Sequence, residues 1–126
     1  MSFDWSLYIK LAEELITYAQ TGKLEEASLR SAISRAYYGV FCIARNFLRS
    51  KGEIIPKVDT HKFVREHYEG SSDERERKIG ENLARLWKNR KDSDYEDTAD
   101  IDTKKAKTAI ILAKRVLESL KQIGAM

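Results

Sequence analysis

Apolar residues recur along this chain at intervals of three and four, the spacing that brings side chains onto one face of an α-helix. Leu7, Leu11 and Leu15 form one line, flanked by Tyr8, Ala12 and Ile16. They predict a first helix that starts near Ser2 or Asp4, either of which could cap it, and runs to about Gln20. Thr21-Gly22-Lys23 breaks it. The longest line reads Leu29, Ala32, Ile33, Ala36, Tyr37, Val40, Phe41, Ala44 and Leu48, and predicts a second helix from about Leu24 to Ser50. Gly52 and Pro56 bracket the turn that follows. Asp59 or Thr60 is placed to cap a short third helix carrying Phe63, Val64 and Tyr68. Gly70-Ser71-Ser72-Asp73 ends it and caps a fourth, which carries Ile79, Leu83, Leu86 and Trp87 and reaches about Asp92. Ser93 to Ile101 reads as loop. Asp102 or Thr103 opens the last helix, with Ala106, Ala109, Ile110, Ala113, Val116, Leu117 and Leu120 facing inward, and it ends near Gly124.

A single proline and few β-branched runs make the fold class all-α. Short loops between successive amphipathic helices favour an up-and-down bundle of four to five helices. The 126 residues suit one domain, 1–126, long enough to bury a core. Cys42 is the only cysteine, so no disulfide framework within the chain is expected. No apolar run reaches membrane-spanning length, and no basic stretch followed by an apolar one marks the N-terminus. A cytoplasmic protein with no membrane association is the expectation. The formal net charge of +3 is too small to imply nucleic-acid binding without a local patch.

The distribution of charge says more than its total. Arg85, Lys88, Arg90 and Lys91 make the end of the fourth helix basic, complementing its dipole. Asp92, Asp94, Glu96, Asp97, Asp100 and Asp102 follow. A calcium loop is excluded because Asp97 stands where that loop needs glycine. Arg90, four residues beyond Leu86, continues the buried stripe inward. A guanidinium cannot shed its charge there, so it must meet an acid or tyrosine of this chain, a second subunit or a phosphate.

Three segments occur in order: Ser34-Arg-Ala-Tyr-Tyr-Gly-Val-Phe41, His61 opening the third helix, and Arg90-Lys-Asp-Ser-Asp-Tyr95. Together they resemble the HEPN superfamily (higher eukaryotes and prokaryotes nucleotide-binding domain), in particular small stand-alone prokaryotic members. The similarity covers nearly the whole chain. It implies a helical bundle that forms a homodimer, bringing two fourth-helix ends together around a shared cleft. Many relatives are metal-independent ribonucleases of toxin–antitoxin and defence systems, and several pair with a small nucleotidyltransferase. The relatives that cut RNA use an arginine followed, after four to six residues, by a histidine. Here the residue after the gap is Tyr95, with Asp94 just before it.

That departure matters for the chemistry. Metal-free RNA cleavage needs a proton acceptor for the 2′-hydroxyl, a donor for the leaving oxygen and positive charge on the phosphate. A tyrosine near its normal pKa serves poorly where histidine would titrate usefully. Arg90 retains the ability to hold a phosphate through paired hydrogen bonds, Tyr95 can stack or donate, and Asp94 could accept a proton only with a raised pKa. His61, following the Asp59-Thr60 helix start, would have its pKa lowered by the backbone dipoles, which suits a base; an ordinary first-turn residue is the plain reading. His67 reads as surface, and two histidines without a cysteine pair make a structural zinc site unexpected. Tyr37 reads as core. Ser34, Arg35 and Tyr38 could form a polar strip for a base and a phosphate, against a snorkelling arginine beside a core-edge tyrosine. Cys42 reads as a small, partly buried side chain. Trp5 and Trp87 fit an interface or the core equally.

The expected candidate site is therefore Arg90 and Tyr95, with Asp94, then His61, and Arg35, Tyr38 and Ser34 alongside. No cofactor and no metal is expected. The favoured reading is an RNA- or nucleotide-associated module of a prokaryotic toxin–antitoxin or defence system. The alternatives are a ribonuclease toxin with a substituted site and a purely structural dimer in which Arg90 pairs with Asp94 or Asp97.

Overall fold

The computed structural model describes residues 2–126. Its elements are α1 (Leu7–Ala19), α2 (Glu25–Ser50), α3 (Thr60–Glu69), α4 (Glu74–Tyr95) and α5 (Thr103–Gln122), with no strand among the described residues. The expected all-α fold is present, with five helices. No described helix is long and apolar enough to cross a membrane. Helix α2 is the centre, packing against α1, α4 and α5, while α3 lies chiefly on α4. Leu29, Ile33, Val40, Ala44 and Leu48 of α2 meet Ile79, Leu83 and Leu86 of α4 and Ala109, Ala113, Val116 and Leu120 of α5 in one buried cluster.

Local chemistry starts these helices where the sequence signals them, with two adjustments. Asp73 accepts a hydrogen bond from the Arg75 amide at 2.8 Å, and Asp102 from the Lys105 amide at 2.8 Å, so both cap as expected. Asp4 caps a turn that precedes α1, accepting from the Ser6 amide at 3.0 Å, and the helix proper starts at Leu7. Asp59 occupies the position before α3 in a left-handed conformation, φ 54°, and its side chain makes no capping bond. Thr60 ties the turn instead, its hydroxyl donating to the Pro56 carbonyl at 2.7 Å.

The expected buried line of α1 is displaced. Ile9, Ala12, Ile16 and Ala19 are buried, whereas Leu7 and Leu11 are exposed and Leu15 is half-buried. The alternative stripe wins because its two alanines let α1 lie close to α2. Gly39 of α2 completes the fit: a Cβ there would stand 3.1 Å from the Trp5 carbonyl and 3.2 Å from Ile9. The leucine line faces outward on the same helix.

The end of α4 also differs from expectation. The helix continues through Ser93 and Asp94 to Tyr95, so the loop is shorter than the one expected from Ser93 to Ile101. Its extra turn is held from α2. Arg30 donates to the carbonyls of Asp92 at 3.2 Å and Ser93 at 2.9 Å, and to that of Ala99 in the loop at 3.2 Å. The Asp92 carbonyl also accepts from the Glu96 amide at 3.1 Å, so Arg30 adds a second bond there and ties the helix end to the loop. Sequence spacing along α4 alone carries no sign of an arginine supplied from a distant helix.

Gly80 fixes how α3 lies on α4. A Cβ at that position would fall 2.5 Å from the Glu69 amide nitrogen, which is backbone and cannot swing aside. Gly80→Ala is therefore expected to destabilise the protein. Forced overpacking costs about 1–3 kcal/mol, against roughly 1 kcal/mol gained in helix propensity. Urea denaturation checks this; an alanine protein as stable as wild type or more so would show that the helices separate without cost.

Candidate functional site

One flank of α2 presents Ser34, Tyr38, Phe41, Cys42 and Arg45 at helical spacing, facing the first turn of α3 and the last turns of α4. Continuing the buried stripe of α4 inward, Arg90 meets the partners that its charge requires. Its side chain is only 12% exposed, with Nε 2.9 Å from an Asp94 carboxylate oxygen. The Nε–H bond is not aimed at that oxygen, so the attraction is coulombic rather than a directed hydrogen bond. Nη2 donates to the Tyr38 hydroxyl at 2.8 Å and, at a marginal 3.5 Å, to that of Tyr95. The guanidinium carbon stands 5.1 Å from the Tyr38 ring centre and 5.5 Å from that of Tyr95. Ser34 joins the group by donating to Asp94 at 3.3 Å.

Beside this group opens a cleft of about 590 Å³, lined by Tyr38, Phe41, His61 and Trp87, by the cations Arg45, Lys57, Lys62 and Arg90, and by one acid, Asp59. His61 stacks on Phe41 with ring centres 4.3 Å apart, and its Nδ1 lies 2.6 Å from the Tyr37 hydroxyl. Tyr37 is the core residue that the periodicity indicates, 1% exposed, but its hydroxyl reaches the site. Burial lowers the pKa of His61, and the charges of Arg90, Arg65 and Arg45 lower it further, so the ring is neutral at pH 7. Burial raises the pKa of Tyr38, with Arg90 opposing the rise, and burial likewise raises that of Cys42. Neither is ionised to serve as a nucleophile.

The expected site residues do not all converge. Arg90, Asp94, Tyr38 and Ser34 form one bonded group with Tyr95 at its outer edge, and His61 shares the cleft with Arg90. Arg35 points elsewhere, its guanidinium carbon 5.1 Å from the Tyr8 ring centre against α1. Arg35 and Tyr38 are three residues apart on α2, yet Arg35 reaches toward α1 while Tyr38 bonds Arg90 of α4. Asp97, on the loop beyond α4, does not pair with Arg90; Asp94 does, one turn along the same helix. His67 is exposed as expected, while Cys42 is more deeply buried than expected.

The cations around the cleft escaped the sequence reading. Arg45 lies on the long helix, Lys57 in the turn and Lys62 on α3, so no run of basic residues announces them. Trp87 lies between Arg65, 4.8 Å from its ring centre, and Lys91, 4.3 Å away, which accounts for its half-buried state. Trp5 packs edge-on against Phe3 and Tyr8. A second basic groove, lined by Arg85, Lys88, Lys104 and Lys105, lies between α4 and α5 and holds none of the expected site residues. Among the described residues, no three His, Cys, Asp or Glu side chains gather as a metal site would require.

The depressed pKa of His61 has a measurable consequence for stability. From its folded pKa up to the unfolded value of 6.5, the unfolded chain holds a proton on this residue that the folded chain does not. The contribution is thus present above pH 6.5 and is lost as pH falls through that window. Urea unfolding of wild type and His61→Gln at several pH values between about 5 and 7 checks this. The wild-type protein is expected to lose more stability on acidification than the variant; equal slopes would mean that His61 titrates alike in both states.

The HEPN domain model matches residues 5–123, a span that takes in all five helices and every residue of the cleft. No curated protein matches the chain. By the extent of the family match, this five-helix chain belongs to the HEPN domain family.

Proposed function

We propose that this chain is an RNA- or nucleotide-associated module that holds phosphate groups at the Arg90 cleft without cutting the strand. The carrying observation is how the guanidinium is used. The Asp94 carboxylate lies beside Nε, Tyr38 and Tyr95 accept from Nη2, and Nη1 makes no hydrogen bond among the described residues while Arg90 lines the cleft. The arginine is thus held in place with one donor edge still open. Arg45, Lys57 and Lys62 add positive charge along the same cleft, and Trp87 and Tyr38 add aromatic surface. Cations that follow a phosphate backbone, with rings on which bases stack, suit single-stranded nucleic acid.

The Arg90–Asp94 pair by itself fits a purely structural role, since it satisfies the charge inside the chain. The surrounding cations favour a ligand over that reading. The ribonuclease alternative draws on one observation, that His61 lines the same cleft as Arg90. Its weakness is that the sequence carries tyrosine, not histidine, at position 95, where the relatives that cut RNA place their histidine. The biological setting in this reading is a prokaryotic toxin–antitoxin or defence system. The chain would act there as a homodimer joined near the ends of α4, with a small nucleotidyltransferase as its protein partner. Tyr95, 67% exposed at the end of α4, offers surface for such pairing.

Binding of a labelled single-stranded oligoribonucleotide tests the proposal, with metal-free cleavage of the same probe followed in parallel. Wild-type protein is expected to bind with a marked salt dependence and to leave the probe intact. Arg90→Lys, which keeps the charge but not the fork, should bind several-fold more weakly. Arg90→Ala should weaken binding further and reduce the slope of log affinity against log salt by about one. Wild-type cleavage that disappears with Arg90 would turn the assignment to ribonuclease. An absence of binding by a protein folded by circular dichroism would leave the structural role.

A further inference from the structure

Tyr37 and His61 make a pair in which the direction of the hydrogen bond is decided by burial. The phenol is 1% exposed, and among the described residues its hydroxyl has a single hydrogen-bond partner, Nδ1 of His61 at 2.6 Å. Two arrangements satisfy that distance. Either the phenol donates to a bare Nδ1, or a protonated Nδ1 donates to the phenol oxygen. The second strands the phenolic proton inside the core with no acceptor, at the full desolvation cost of a buried donor. The first leaves no polar atom of the pair unmet. The pair thus selects the form in which Nδ1 accepts and the imidazole proton sits on Nε2.

The ring itself is fixed. Phe41 stacks on it at an interplanar angle of 18°, and Tyr38 stands edge-on at 77°. Nε2 makes no hydrogen bond among the described residues and is not among their buried unpartnered atoms, so it opens on the cleft that His61 lines with Arg90. We propose that Tyr37 is a positioning residue: its buried hydroxyl holds the imidazole proton on Nε2, making His61 a hydrogen-bond donor to a phosphate oxygen in the cleft rather than a base for a ribose 2′-hydroxyl. To act as that base, Nε2 would need a lone pair. The proton would then have to move to Nδ1, reversing the Tyr37 bond. This inference rests on the phosphate-binding reading of the same cleft and gives it a second, uncharged donor beside Arg90.

Nitrogen-15 spectra of histidine-labelled protein, recorded where His61 is neutral, report directly which ring nitrogen carries the proton. Wild type is expected to show the proton on Nε2, and Tyr37→Phe, which keeps the ring and removes the hydroxyl, a mixture of both forms. Binding of the single-stranded oligoribonucleotide supplies the second readout. His61→Ala should lose about tenfold in affinity, and His61→Gln, whose amide can place a donor near the Nε2 position, should recover most of it. A wild-type proton on Nδ1 overturns the proposal. So does unchanged affinity in His61→Ala, or Ala and Gln variants that are equally weak. Metal-free cleavage by wild type that is lost in His61→Gln with affinity retained would make His61 the base. Failure on the His61 variants while Arg90→Ala still weakens binding leaves the phosphate-binding reading standing. Absence of wild-type binding removes both that reading and the donor role, and the spectrum still distinguishes the tautomer.

Discussion

A charge that cannot be neutralised has to be held on the buried face of α4, and the site is arranged around that requirement. Guanidinium burial without partners is prohibitive, and a pair removed from water gains only when geometry and further hydrogen bonds offset desolvation. Arg90 meets the requirement with an acid one turn along its own helix and a tyrosine from α2. Each partner must hold its own place for the arrangement to exist. Asp94 is placed only because α4 is still helical there, and Tyr38 because α2 passes the end of α4 at close range.

The same packing gives the cleft its chemistry. Phe41 and Tyr37 belong to the buried cluster, yet both touch His61, so the hydrophobic core itself sets the position of a polar ring. Burial that makes Tyr37 a good core residue also makes its hydroxyl selective about its partner. The cationic side of the cleft is assembled from α2, the turn after it, α3 and α4. The core and the cleft therefore draw on the same residues here.

Much of the fold was legible because helical periodicity is a local property. The long apolar line from Leu29 to Leu48 and the caps at Asp73 and Asp102 appear as read. Two apolar stripes on α1 competed, and the one that packs fits closely against Gly39 in another helix, which no window along α1 contains. Arg90 was found because it broke its own pattern: a permanent charge at a core position is a local contradiction that needs a partner. Arg45, Lys57 and Lys62 broke no pattern, since a lysine on an amphipathic helix or turn is unremarkable until the fold aims it. Arg35 misled for the converse reason. The three-residue spacing suggested a shared strip with Tyr38, while the long side chain of Arg35 reaches the Tyr8 ring on α1 instead.

Arg30 extends the reach of the site to a residue that lines no part of the cleft. By holding the carbonyls of Asp92, Ser93 and Ala99, it ties the final turn of α4 to the loop behind it. The spacing that sets Asp94 against Arg90 exists only while that turn stays wound. Unwinding that turn would separate Asp94 from Arg90, so the contacts of Arg30 support the ion pair as well as the helix end. The guanidinium that faces the cleft is governed, through the carbonyls at the helix end, by a second guanidinium behind it.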